Sequence, residues 1–303
     1  MCGFQESILS TIRREVVELL MAGQGGDQAP MASEEDDIWV TDPEEVPIIY
    51  LYQYSRNTLL PSLSPTCLKV ETWLRLAGLK YKNVDNRMLC RSKKGQLPIV
   101  ELEGEDIAHN NIIKQLGLRF QKDLDADLSN DQKIMSDHMT STIENHMYWV
   151  LAWWRSNHPD EVITGYRINL QHAQGSWIPN IILKFIYKFV YARSRARVMR
   201  IQGMGTHSPN EMNEFAHNDL KLLSEVLADK PFFFGDKPAT LDVSVFSILA
   251  QVHFISQEVR FPLRDYVQVN CTNLVGHVYR MKDMCFPDWE DICKTGSQCS
   301  SAQ

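Results

Sequence analysis

The chain has 303 residues, 44% hydrophobic and 23% charged, which is room for two domains of ordinary size and excludes disorder throughout. A formal net charge of -7 argues against a nucleic-acid binder, whose contact surface would be basic. Seven cysteines without a CxxC pair predict reduced thiols in the cytoplasm rather than a disulfide framework or a metal site.

Residues 1–46 read as an appendage: a short amphipathic helix around Ile12 and Val16, then a Gly-rich and acidic linker. From Val46 the texture changes. The run Ile48-Ile49-Tyr50-Leu51-Tyr52 predicts a buried strand. Ser64-Pro65 sets an N-cap residue before a proline at the first helical position. Val70, Trp73, Leu74 and Ala77 then mark one buried helical face, and Gly78 its left-handed end. A second strand follows over 80–85, then a basic loop at Arg91–Lys94. Strands over 97–102 and 106–108 flank a Glu103-Gly104 turn, and a helix over 110–120 closes this part. The order β-α-β, β-β-α over 47–122 is thioredoxin-like, an α/β domain.

The remainder, 128–290, reads as all-helical. Ser129…Gln132 and Ser208-Pro209-Asn210-Glu211 are capping boxes. Met135, Met139, Ile143, Met147, Val150 and Trp154 trace one face of a long helix. Residues 177–191, broken by Pro179, Asn180, Lys184 and Lys188, are too polar to span a membrane. They predict an amphipathic or buried helix, with contact at a membrane surface the lesser reading. Residues 241–252 are apolar nearly all round and predict a central buried helix. The tail over 291–303 is polar and predicted to be loose.

This order resembles the glutathione transferase superfamily, and two strings agree. Gly95-Gln96-Leu97-Pro98-Ile99-Val100 resembles the segment carrying the superfamily's cis-proline, and Phe232 to Val243, which includes Asp242, resembles the entry to its buried core helix. More narrowly, residues 64–74, 91–98 and 203–209 resemble the failed axon connections family, close to the metaxins. The likeness spans about Ile48 to Gln257.

The resemblance implies functions for particular residues. Ser64, at the tip of the first helix, takes the place of a redox cysteine. It is a candidate catalytic group that would donate to a glutathione thiolate, beside the positive end of the helix dipole, or else it only caps the helix. Tyr52 and Tyr54 are alternative hydroxyl sources. Cys67 is a candidate ligand contact, although its spacing with Val70 and Leu74 places it in the core. The Leu97 backbone, next to a cis Pro98, would pair with an extended thiol peptide. His109 and Asn110 stand where ligand-binding relatives carry an acidic residue and a serine, which removes the negative partner for the ligand's ammonium. Asp242 is expected to accept backbone N–H bonds at a helix start, with Thr240 taking the cap that Ala239 cannot supply. His138, Glu144 and His146 lack metal-ligand spacing.

Three functions compete. The first is a cytoplasmic binding or scaffolding protein which, by its resemblance, acts in axon development through a protein partner. The second is a glutathione-dependent transferase or peroxidase, with glutathione as the candidate cofactor. The third is a metaxin-like component of the mitochondrial surface, for which the polar tail offers no anchor. Relatives commonly form homodimers, but no residue here argues for one.

Overall fold

The structure, a computed structural model, describes residues 47–85, 97–108, 111–171 and 178–298. The expected N-terminal helix, the Arg91–Lys94 loop, His109 and Asn110 lie outside the described residues.

Strand β1 (Ile49–Gln53) leads into helix α1 (Pro65–Leu76) and back to β2 (Tyr81–Asp85), parallel to β1. Strands β3 (Ile99–Leu102) and β4 (Glu105–Ala108) follow as an antiparallel hairpin, then α2 (Ile112–Phe120). The sheet order is β2-β1-β3-β4, with β3 antiparallel to β1. Period-two alternation puts Ile49, Leu51, Val100, Leu102 and Ile107 on one buried face. They form one cluster with Leu68, Trp73 and Leu74 of α1 and with Ile112 and Leu116 of α2. Gly78 has φ +68°, and the β3–β4 turn uses positive φ at Glu103 and Gly104, as the sequence predicts.

The long helix has three parts: α3 (Asn130–Thr142), a π-helical stretch at Ile143–Met147, and α4 (Tyr148–Asn157). Steps of four residues drift by about 40° each on a regular helix. A wider π turn takes up that drift, so Met139, Ile143 and Met147 all stay buried, as do Val150 and Trp154. Met135 does not; it is 47% exposed in the second turn. Both capping boxes form with reciprocal bonds.

Helix α5 (Pro159–Gly165) follows, and then α6 (Asn180–Ile186), a second π stretch at Tyr187–Tyr191, and α7 (Ala192–Gln202). The predicted helix is amphipathic: Leu183 and Tyr187 are buried, while Ile181, Phe185 and Phe189 are exposed. Gly203, at φ +100°, ends α7. A Cβ on Gly205 would lie 2.6 Å from the Arg200 backbone nitrogen, so residues 203–209 turn tightly into α8 (Pro209–Leu227).

Helix α9 (Thr240–His253) is buried from Leu241 through Val252. It packs against α1, α3 and the later helices α10 (Pro262–Asn270) and α11 (Thr272–Cys285). The polar tail does not loosen at once. Helix α12 (Trp289–Gln298) carries the chain onward, because Trp289 and Cys293, each 6% exposed, pack into the core.

Candidate functional site

The register aligns Tyr52 of β1 with Ile99 of β3, so the start of β3 lies beside the end of β1. From there residues 54–63 lead to the tip of α1. This corner is the candidate site, and it is built from backbone inward.

The Leu97–Pro98 peptide is cis, as the resemblance implies. Pro98 is buried and Leu97 half-buried. Ser64 is the N-cap of α1. Its Oγ accepts from the Cys67 N–H at 3.4 Å and lies 2.9 Å from Thr66 Oγ1, and it is half-buried. Cys67 is fully buried. Loss of water pushes its thiol up to about 11, despite hydrogen bonding from Ser64, the Tyr54 backbone and Ser62. A thiol so held is a core group rather than a nucleophile. Tyr52 donates its hydroxyl to Glu101 Oε2 at 2.6 Å, and that bond with partial burial raises its pKa to about 12. It is therefore a poor partner for a thiolate.

Several groups that shape this corner carried no obvious signal in sequence. Glu71 on α1 is fully buried and takes both guanidinium nitrogens of Arg56 at 2.7 Å. Gln53 Nε2 at 2.8 Å and the Tyr81 hydroxyl at 2.7 Å also donate to it. Burial alone would raise this carboxyl, but Arg56, Gln53 and Tyr81 outweigh it and hold it below its ordinary range. Arg56 also donates to Pro61 O at 3.1 Å, tying the network to the loop.

The helical part grips the same loop. Gln251 donates to Ser62 O at 3.0 Å and accepts from Arg155, which itself donates to Leu63 O at 2.9 Å. Asn57 donates to Tyr166 O at 2.9 Å, and the Tyr166 hydroxyl donates to Gln251 O. Gln251 is fully buried. One signal was available for it: a lone amide inside an otherwise apolar helix needs a partner. Lys69 on α1 pairs with Glu144 in the π stretch. His146 meets Asp219 at 2.5 Å, so neither helix residue is idle.

Asp242 accepts from the backbone N–H groups of Ala239 at 2.8 Å and Phe233 at 3.1 Å, and from His277 Nε2 at 2.8 Å. The expected cap by Thr240 is corrected. Thr240 sits one residue too late to be the N-cap, and its own N–H donates to Asp125 Oδ1 at 2.9 Å. His277 was missed because its partner is 35 residues away.

The glutathione S-transferase N-terminal domain family matches residues 65–161, and the glutathione S-transferase C-terminal domain family matches 216–281. The chain is 53% identical over 253 residues to Failed axon connections of Drosophila melanogaster, covering 82% of this chain. It spans 60% of the fly protein's length. It is 32% identical to the isoprene-epoxide–glutathione S-transferase of Rhodococcus sp. (strain AD45), over 78% of this chain and 98% of that one. Metaxin-1 of Sus scrofa is 30% identical, over 79% of this chain and 75% of that one. Among solved structures, a beta-etherase of Sphingobium sp. strain SYK-6 superposes with TM-score 0.53 at 14% identity, covering 82% of this chain and 99% of that one. A glutathione S-transferase of Methylobacterium radiotolerans, solved with glutathione sulfonate, gives 0.50 at 14% identity, over 80% and 94%. These two speak for the fold: a thioredoxin-like domain followed by an all-α domain. The match to both domain families, and to the bacterial transferase along nearly its whole length, places the chain in the glutathione S-transferase superfamily, in its metaxin-like failed axon connections branch.

Proposed function

We propose that the chain is a non-catalytic member of its superfamily, a cytoplasmic binding or scaffolding module that acts in axon development. The observation that carries this reading is the condition of the thiol-handling groups. The Ser64 oxygen accepts as a helix cap and shares a 2.9 Å contact with Thr66 Oγ1, the Cys67 thiol is buried, and the Tyr52 hydroxyl is given to Glu101. Identity with Failed axon connections supports the axonal role. The test is conjugation of glutathione to an aryl chloride electrophile. The expected rate is that of the protein-free control; a faster rate that falls on Ser64→Ala overturns the proposal.

A second reading is supported by the 32% identity with the isoprene-epoxide–glutathione S-transferase. Here glutathione binds with its cysteinyl backbone against Leu97 and its thiol near Ser64, and with His109 and Asn110 at its γ-glutamyl end. Titration of glutathione reads this directly. Heat release with amide shifts at Leu97 supports it, and silence in both ends it. The likeness to metaxin-1 supports a third setting, the mitochondrial surface, which subcellular fractionation tests. Among the described residues no helix is long and apolar enough to cross a membrane.

A further inference from the structure

We propose that residues 180–202 form a docking surface for an anionic lipid membrane, lying in its interface without spanning it. Helix α6 and the following π stretch turn Leu183 and Tyr187 inward, at 1% and 7% exposure. The opposite side carries Ile181, Ile182, Phe185 and Phe189, exposed by 82, 50, 63 and 44%. The two phenylalanine rings lie 4.4 Å apart and make one continuous apolar ridge. A ridge of this kind, apolar and turned to water, marks a contact surface on a folded protein.

Charge identifies what it contacts. Residues 180–202 hold Lys184, Lys188, Arg193, Arg195, Arg197 and Arg200 and no acidic residue, in a chain whose net charge is -7. Lys184 and Lys188 flank the ridge, and Arg193, Arg197 and Arg200 are exposed along α7. Long basic side chains beside protruding Phe and Ile are what an interfacial helix needs: apolar tips enter the acyl boundary while the cationic heads reach lipid phosphates. A second copy of this chain paired isologously through this surface would set basic face on basic face and be repelled. Asp160 pairs with Lys188, both side chains being exposed, so phosphate need only exchange for an exposed carboxylate there.

The test is flotation of the full chain with vesicles of phosphatidylcholine alone, or of phosphatidylcholine mixed with phosphatidylserine. The chain is expected to float with the mixed vesicles and to be released by added salt. The double variant F185E/F189E should abolish flotation. The triple variant R193Q/R197Q/R200Q should weaken it by about a hundredfold, since each basic residue near such a surface counts for roughly a fivefold change. Both variants alter exposed side chains and should keep the wild-type melting temperature. V269E, at another exposed apolar residue, should float like the wild type. Equal flotation with neutral vesicles, no flotation with either, or an undiminished triple variant overturns the proposal. So does protection of Phe185 by an acidic protein when the vesicles are not bound, which would reassign the ridge to a protein partner.

Discussion

Glu71 shows how one buried charge is kept in place. Its carboxylate meets Arg56 in a two-pronged pair, with Gln53 and Tyr81 filling its remaining lone pairs. Its pKa in the folded chain is lowered from the ordinary 4.5. A depressed carboxyl stabilises the fold fully above its unfolded value, and that contribution fades as pH falls through the lower folded value. Glu71→Gln leaves Arg56 buried without its counter-charge and should cost about 3–5 kcal/mol at neutral pH. It should also flatten the acid side of the stability profile, which denaturant melts between neutral and acidic pH will read. Ser64→Ala removes a cap acceptor and should cost about 1 kcal/mol, measured as a shift in denaturation midpoint. At this scale the sequence was legible where chemistry is local. Ser64 as a cap follows from Ser-Pro at a helix start, and Cys67 as a core residue from its spacing with Val70 and Leu74. Glu71 was not legible, because a carboxylate on a helix reads as solvated until Arg56 and Tyr81, brought in by a loop and a strand, are seen around it.

Helix α9 poses the same question for an element. Its interior is apolar enough to be read as buried from composition alone, but a buried helix must still satisfy its first N–H groups. Asp242 does this for Ala239 and extends to Phe233 and His277. Asp242→Ala leaves two backbone donors and an imidazole without partners in a dry site, so a loss of about 3 kcal/mol or more is expected. Thermal unfolding will read it, and a loss below 1 kcal/mol would contradict this accounting. The capping boxes at Ser129 and Ser208 were legible because all their partners lie within three residues. The π stretch over Ile143–Met147 was not read from the sequence, where the four-residue steps from Met135 to Met147 pass for one face of a regular helix. The helix over 289–298 was hidden because its polar residues outnumber Trp289, Ile292 and Cys293, which hold it to the core.

For the whole molecule, what matters is how the α/β part and the helical part fix each other beside the candidate site. Among the described residues the links that cross between them include Lys69 to Glu144, Arg75 to Asp288 at 2.6 Å, and a third at the loop before α1, where Arg155 and Gln251 grip the backbone and Asn57 reaches Tyr166 O. The third sets the position of Ser62 and Leu63, and through them the tip of α1. Gln251→Leu keeps the volume but leaves Ser62 O and a guanidinium nitrogen unpaired, and should cost about 1–3 kcal/mol. Arg155→Met removes the bond to Leu63 O as well as that to Gln251, with a similar loss. Because the two side chains bond each other at 2.8 Å, the double variant should lose less than the sum of the singles, with a coupling of about 0.5–3 kcal/mol. Strict additivity in a denaturant-melt cycle would mean that the two residues hold the loop independently. The α1 tip would then rest on separate contacts, and the two parts would not act there as one unit.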